Sequence, residues 1–105
     1  MVRYLAGAMN RVPVDATAWA ARDVEAFFVI AGFLPPGADP SAAHGMREAW
    51  SPLSDRTIGL YGNFADGTGS KILERMYPPA MLERLREVKR RYDPQNLLRW
   101  NHNLG

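Results

Sequence analysis

The spacing of apolar residues predicts three helices along the chain. The clearest lies over Pro79 to Tyr92, where apolar side chains recur on one side at Met81, Leu82, Leu85, Val88 and Tyr92. Asp39-Pro40 is a favourable helix start, and the stripe that follows contains Ala43, Met46, Trp50 and Leu53. Pro52 is expected to end this helix or distort its last turn. A shorter helix is expected over Ser70 to Met76.

Three other segments are predicted as strands, and the last of them alternates cleanly between apolar and polar residues. They are Tyr4 to Val12, Glu25 to Leu34 and Thr57 to Phe64. In the last of these, Ile58, Leu60 and Phe64 share one face, and Tyr61 and Asn63 share the other. The sequence therefore predicts an α+β fold, in which a small antiparallel sheet of about three strands is covered by helices.

The segment Glu25 to Leu34 is apolar on both faces, so as a strand it needs cover on both sides. A chain of 105 residues has little material for two covering layers. We therefore expect part of this surface to be buried by association, with a homodimer as the simplest form.

Composition excludes several classes of function. The chain contains no cysteine and only two histidines, so we expect neither a disulfide framework nor a metal site. A net charge of +2 gives no indication of nucleic-acid binding. The longest apolar run, Ala26 to Leu34, is too short to cross a membrane, and the N-terminus does not resemble a signal peptide. The expectation is a cytoplasmic protein with one domain over residues 1–105.

The first candidate site is the pair Tyr61 and Asn63. On a strand their side chains would emerge on the same face, about 6.5–7 Å apart. A tyrosine can act in proton transfer, and an asparagine can both donate to a carbonyl and accept from an N–H group, which suits a flavin edge. The alternative is a half-buried tyrosine beside an asparagine that caps a turn, and the spacing alone favours this alternative.

The C-terminal segment is the second candidate. Asn101 and Asn103 alternate with His102, so in an extended conformation both asparagines would face one ligand. An exposed tail explains the same pattern. A third feature, the basic stretch from Arg84 to Arg91, is interleaved with glutamates and is more typical of a solvated helix face.

Three segments together resemble one protein family. The run RLREVKRRYDPQNLLR at 84–99 is similar to the C-terminal signature of FAD-linked oxidases of the berberine bridge enzyme type. Tyr61-Gly62-Asn63-Phe64 resembles the "Y.NF" segment of that family. Residues 7–14 and 17–23 resemble an upstream family segment, and all of these occur in the family's order.

The resemblance implies the substrate-side, C-terminal portion of a flavoprotein whose N-terminal domain binds FAD. It implies that Tyr61 is a catalytic residue that helps to deprotonate a substrate hydroxyl while hydride passes to the flavin. Asn63, and more loosely Asn101 and Asn103, would be cofactor-binding residues near the flavin ring. The chain departs from the family pattern at Ala21, where a histidine is common, and at Leu98, where phenylalanine is usual.

Nothing in the sequence would hold the pyrophosphate and adenine of FAD, so the chain alone is expected to be inactive. Its partner would be an FAD-binding domain or chain whose active site it completes. The alternative is a small, non-enzymatic module that binds a ligand or another protein. Turnover that depends on Tyr61 in a coloured complex would distinguish the two hypotheses.

Overall fold

The computed structural model describes all 105 residues and has an α+β architecture, as predicted. Strands β1 (Val2–Tyr4) and β2 (Ala26–Phe28) pair antiparallel, with Arg3 opposite Phe27. Two further backbone bonds extend the ladder at its ends, because the amide of Leu5 donates to Glu25 and that of Val29 donates to Met1, each at 2.9 Å.

Three helices follow: α1 (Ser41–Ser54), α2 (Ser70–Met76) and α3 (Pro79–Tyr92). The bounds of α2 and α3 are those that the sequence predicts. In α1, Asp39 accepts a hydrogen bond from the amide of Ser41 at 2.8 Å, which lowers the pKa of Asp39. Pro52 lies inside α1, which continues to Ser54. No helix has both the length and the apolar character needed to cross a membrane.

The sheet has two strands rather than three, because the predicted strand over Thr57 to Phe64 does not form. The amide of Leu60 donates to the carbonyl of Arg75, at the end of α2, at 3.1 Å. Residues Gly62–Phe64 form a 3₁₀ turn instead. Alternation shows that a segment suits a pleated sheet, but a strand also needs a neighbour to pair with, and here the neighbouring backbone belongs to a helix.

The other two predicted strands are shorter than expected. β1 ends at Tyr4, and Gly7, with a φ of +89°, begins a 3₁₀ helix over Gly7–Arg11. A positive φ is incompatible with a continuing strand. β2 ends at Phe28, which pairs with Val2, the first residue of β1.

Very little of the chain is buried. Only Leu73 on α2 and Leu82 on α3 are fully enclosed, at 4% and 5% exposure. By contrast, Phe33 is 93% exposed and Trp100 is 90% exposed. The accessible surface is 8206 Å², whereas a compact monomer of this mass exposes about 5,900 Å². The radius of gyration is 16.0 Å, against about 13 Å for a compact domain of this length. The excess accessible surface area is comparable with the area that one partner buries in a large protein interface.

Asp93 ends α3 and directs the segment that follows it. Its carboxylate forms an ion pair with Lys89 and accepts hydrogen bonds from the amides of Leu97 at 2.8 Å and Leu98 at 2.9 Å. Lys89 also donates to the carbonyl of Leu98 at 2.7 Å. The hydrogen bond from Lys89, followed by those from the two amides, lowers the pKa of Asp93 to about 2. Asp93 therefore fastens the C-terminal segment to α3.

This network predicts a pH dependence of folding stability. Because the pKa of Asp93 is lower in the folded chain than in the unfolded one, its contribution is complete above about pH 4 and is lost as pH falls to about 2. We expect Asp93→Asn to be less stable than the wild type at neutral pH. Between pH 2 and 4 the wild type should take up as much as about one proton when it unfolds, because the pKa of Asp93 rises on unfolding. Urea unfolding across this range should show that the variant lacks this proton uptake. Parallel pH profiles for the two proteins would contradict the prediction.

Candidate functional site

A large open cleft, with a volume of about 740 Å³, lies between the N-terminal segment, β2 and the 57–64 segment. Its wall contains a cluster of aromatic rings centred on Tyr61. Trp19 meets the Tyr61 ring edge-on at 5.0 Å between ring centres, and Phe27 and Phe64 each lie at 5.9 Å from it. Edge-to-face contacts of this kind stabilise the orientation of a ring as well as burying it. The phenol is therefore held on three sides.

The hydroxyl of Tyr61 contacts the second predicted site residue. The side-chain amide of Asn63 donates a hydrogen bond to Tyr61 Oη at 2.7 Å. The pair meets through the 3₁₀ turn at Gly62–Phe64 and not through strand alternation. Since Asn63 supplies the donor, the hydroxyl proton of Tyr61 remains free to contact a ligand in the cleft. Asn63 is exposed and Tyr61 is half-buried, so the polar end of the pair faces outward.

Asn101 and Asn103 lie outside this cleft. Neither belongs to its lining, and Asn103 uses its side-chain oxygen to accept the amide of Gly105 at 3.4 Å. The residue between them does line the cleft, because His102 Nε2 lies 2.8 Å from the carbonyl oxygen of Gly62. No local pattern marks His102 as a site residue, since a lone histidine in a polar tail gives no signal of a contact 40 residues away.

The N-terminal half of the wall is positioned by Arg22. One of its guanidinium nitrogens donates to the carbonyl of Met9 at 3.0 Å, and another donates to Thr17 Oγ1 at 2.6 Å. The indole N–H of Trp19 donates to the carbonyl of Ala21 at 2.9 Å. These bonds fold the 9–22 segment into a loop that presents the Trp19 ring to Tyr61. The sequence predicted neither Trp19 nor Phe27 as a wall residue, because their contacts with Tyr61 depend on tertiary structure.

The two ends of the 57–66 segment are also fixed by arginines. Arg75 on α2 donates to Thr57 Oγ1 at 2.8 Å and to the Ser54 carbonyl at 3.2 Å. On the other side, Arg47 on α1 forms an ion pair with Asp66 at 2.5 Å and lowers the pKa of that carboxyl through the hydrogen bond between them. The turn that carries Tyr61 and Asn63 is thus anchored to two helices.

The polar groups and rings of this cleft indicate which kind of ligand it could bind. A phenol hydroxyl and an amide stand together beside the aromatic part of a cleft whose lining also contains charged residues, among them Arg22, Glu25 and Arg56. Such a wall suits a flat, conjugated ring, and the two polar groups suit a hydroxyl or carbonyl beside it. The chain contains no cysteine that could tether a cofactor covalently.

The chain is similar in sequence to one known family and to FAD-linked oxidoreductases. The family model described as "Berberine and berberine like" matches residues 60–105, a range that includes Tyr61, Asn63 and the C-terminal segment. The chain is 34% identical over 101 residues to the FAD-linked oxidoreductase fogF of Aspergillus ruber (strain CBS 135680), and the match covers 89% of this chain and 20% of that protein.

A second relative is bacterial. It is the uncharacterized FAD-linked oxidoreductase YgaK of Bacillus subtilis (strain 168), 33% identical over 101 residues, with 95% of this chain and 22% of that protein covered. The chain thus spans about a fifth of the length of the curated relatives that it matches. Residues 60–105 therefore match the berberine and berberine-like family, within a chain that is similar to FAD-linked oxidoreductases over most of its length.

Proposed function

We propose that this chain is the substrate-side part of an FAD-dependent oxidoreductase, with its active site at the Tyr61–Asn63 pair. The observation that carries the proposal is the 2.7 Å hydrogen bond from Asn63 to Tyr61 Oη at the wall of the cleft. Similarity to two FAD-linked oxidoreductases supports it. When bound, FAD supplies the acceptor for a hydride from the substrate. In its phenolate form Tyr61 accepts the proton of the substrate hydroxyl, and Asn63, which donates to the same phenol oxygen, stabilises that form and fixes its direction.

The residues of this chain fit one end of the cofactor. The rings of Trp19, Phe27 and Phe64 provide an apolar wall for the flat isoalloxazine, and Asn63 provides an amide for its polar edge. We assign the binding of the pyrophosphate and adenine to an FAD-binding segment or chain. Because Asn101 and Asn103 lie outside the cleft, the proposal rests on Tyr61 and Asn63 rather than on all four predicted residues.

We further propose that the FAD-binding segment covers the exposed apolar surface. The chain exposes about 2,300 Å² more than a compact monomer of its mass would expose. The matched relatives are about five times as long as the aligned region, so a covering segment of ample size exists in them. A homodimer, as expected from the sequence, is the competing way to bury this surface.

The test is to produce the chain together with an FAD-binding segment, taken from the adjacent coding sequence if one is encoded there or otherwise from a matched relative, either joined or as a second polypeptide. We expect the two to purify together with bound flavin. We also expect Phe33→Asp to abolish this association. Phe33 is almost wholly exposed in the chain alone, and burying an aspartate at this position under the FAD-binding segment would leave its charge without a counter-charge. Lys71→Asp, on an exposed polar position of α2, is the matched control and should leave association unchanged.

The outcomes separate the alternatives. A flavin-containing complex that is lost in the Phe33 variant supports the proposed assembly. A stable homodimer that does not bind the FAD-binding segment contradicts the proposed assembly and favours the non-enzymatic module. Light scattering on the purified species distinguishes these two results directly.

A further inference from the structure

We propose that His102 is a positioning residue for the Tyr61–Asn63 pair, and that it acts by holding the carbonyl group of Gly62. This inference rests on the proposed function, because the pair that His102 positions is the proposed site. The juxtaposition behind it is the 2.8 Å contact between His102 Nε2 and the oxygen of Gly62, the residue between the two polar side chains.

The contact fixes the tautomer of the imidazole. A backbone carbonyl can only accept a hydrogen bond, so the proton must be on Nε2. Nδ1 of His102 is buried and has no hydrogen-bond partner. The ring is therefore held by one polar contact alone, and that contact is with the turn that carries the site.

Packing around Gly62 strengthens the connection. A Cβ atom at this position would lie 2.4 Å from the methyl of Met76 and 3.0 Å from Cδ2 of His102. The absence of a side chain is what lets the imidazole and the methionine approach the backbone so closely. The carbonyl of Gly62 also accepts the amide of Ala65 at 3.2 Å, so His102 binds the same oxygen that closes the turn.

His102 is itself supported by α3. Arg86 donates to the carbonyl of Leu104 at 3.2 Å, and Lys89 donates to the carbonyl of Leu98 at 2.7 Å. The segment around His102 is thus attached to a helix on both sides of the imidazole. Through His102, α3 restrains the position of Gly62, and Gly62 sets where Tyr61 and Asn63 stand relative to each other. A displacement of about 1 Å at a reacting group can cost about 100-fold in rate.

The first test is made on the wild-type chain and requires no substitution. With ¹⁵N-labelled histidine, long-range ¹H–¹⁵N spectra report which imidazole nitrogen carries the proton. We expect His102 in the Nε2–H tautomer, with slowed exchange of that proton, and His44, which is exposed on α1, in fast exchange. An Nδ1–H tautomer at His102 would overturn the inference, whatever the activity of the protein.

The second test compares two substitutions. His102→Gln keeps an N–H donor near the position of Nε2, whereas His102→Leu removes it. We expect the leucine variant to shift the side-chain amide resonances of Asn63 and to lower kcat of the flavin-containing protein by about 10- to 100-fold, with the glutamine variant within about threefold of wild type. His44→Leu is the matched control and should change neither readout. Equal losses in the glutamine and leucine variants would contradict a role that depends on the donor.

A double-mutant cycle separates this inference from the proposed function. If His102 acts through Tyr61, then His102→Leu should have no further effect on kcat in a Tyr61→Phe background. A full additional loss in that background would overturn the positioning role while leaving Tyr61 in place. If Tyr61→Phe alone leaves turnover unchanged, the proposed function fails, and the tautomer and the Asn63 resonances still decide whether His102 positions the pair.

Discussion

Replacing Tyr61 by phenylalanine is expected to lower the rate of flavin reduction by about 10²–10⁴-fold, because this is the usual contribution of a positioned proton-transfer group. The substitution removes only the hydroxyl. The ring that contacts Trp19, Phe27 and Phe64 is retained, so the aromatic wall should keep its packing. Asn63 loses its acceptor but is exposed to water, which limits the cost to stability. The effect should therefore appear in turnover and not in folding.

The measurement is anaerobic flavin reduction by substrate in the protein assembled with its FAD-binding segment. Tyr4→Phe is the matched control, since Tyr4 lies exposed on β1 and does not line the cleft. Thermal unfolding of both variants shows whether the fold is retained. If the Tyr61 variant reduces flavin as fast as the wild type, the catalytic role proposed for this phenol is wrong.

The second large effect is on stability. We expect Leu82→Ala to lower the free energy of unfolding by about 2–5 kcal/mol, the usual range for a leucine truncated in a core. Leu82 on α3 and Leu73 on α2 are the only fully buried side chains, and α2 and α3 are packed against each other. Small domains have about 5–15 kcal/mol of stability in total. With so small a core, we expect the stability of this chain to lie near the lower limit of that range, so that this loss removes most of it.

Urea unfolding followed by helical circular dichroism measures this effect. Leu97→Ala is the control, because Leu97 is 68% exposed in the C-terminal segment and its truncation should change stability by less than about 0.5 kcal/mol. Similar losses in the two variants would show that Leu82 is not the centre of the core.

Helices were predicted from this sequence more accurately than strands, for a physical reason. The bounds of α2 and α3 follow from signals within each segment, such as the proline at the start of α3 and Asp93-Pro94 at its end. A strand depends on a partner that lies elsewhere. The segment Thr57 to Phe64 has the required alternation but no neighbouring strand, and it becomes an irregular segment with a 3₁₀ turn.

The same distinction applies to the site. The proximity of Tyr61 and Asn63 could be anticipated from their spacing, although the turn that joins them could not. Trp19 and His102 reach the site through contacts between distant parts of the chain, and neither belongs to a local pattern that would reveal it. In an extended tail, Asn101 and Asn103 would face one ligand together. In the structure, the residue between them, His102, lines the cleft instead.

The large accessible surface has a thermodynamic consequence. Both the heat-capacity change of unfolding and its denaturant dependence scale with the area that unfolding newly exposes to solvent. The folded chain exposes 8206 Å². An unfolded chain of this mass exposes about 17,000 Å², so unfolding newly exposes about a fifth less area than it would for a compact monomer. Its unfolding transition should accordingly be somewhat broader than that of a compact domain of equal length, and it should sharpen when a covering polypeptide adds its own buried area to the folded state.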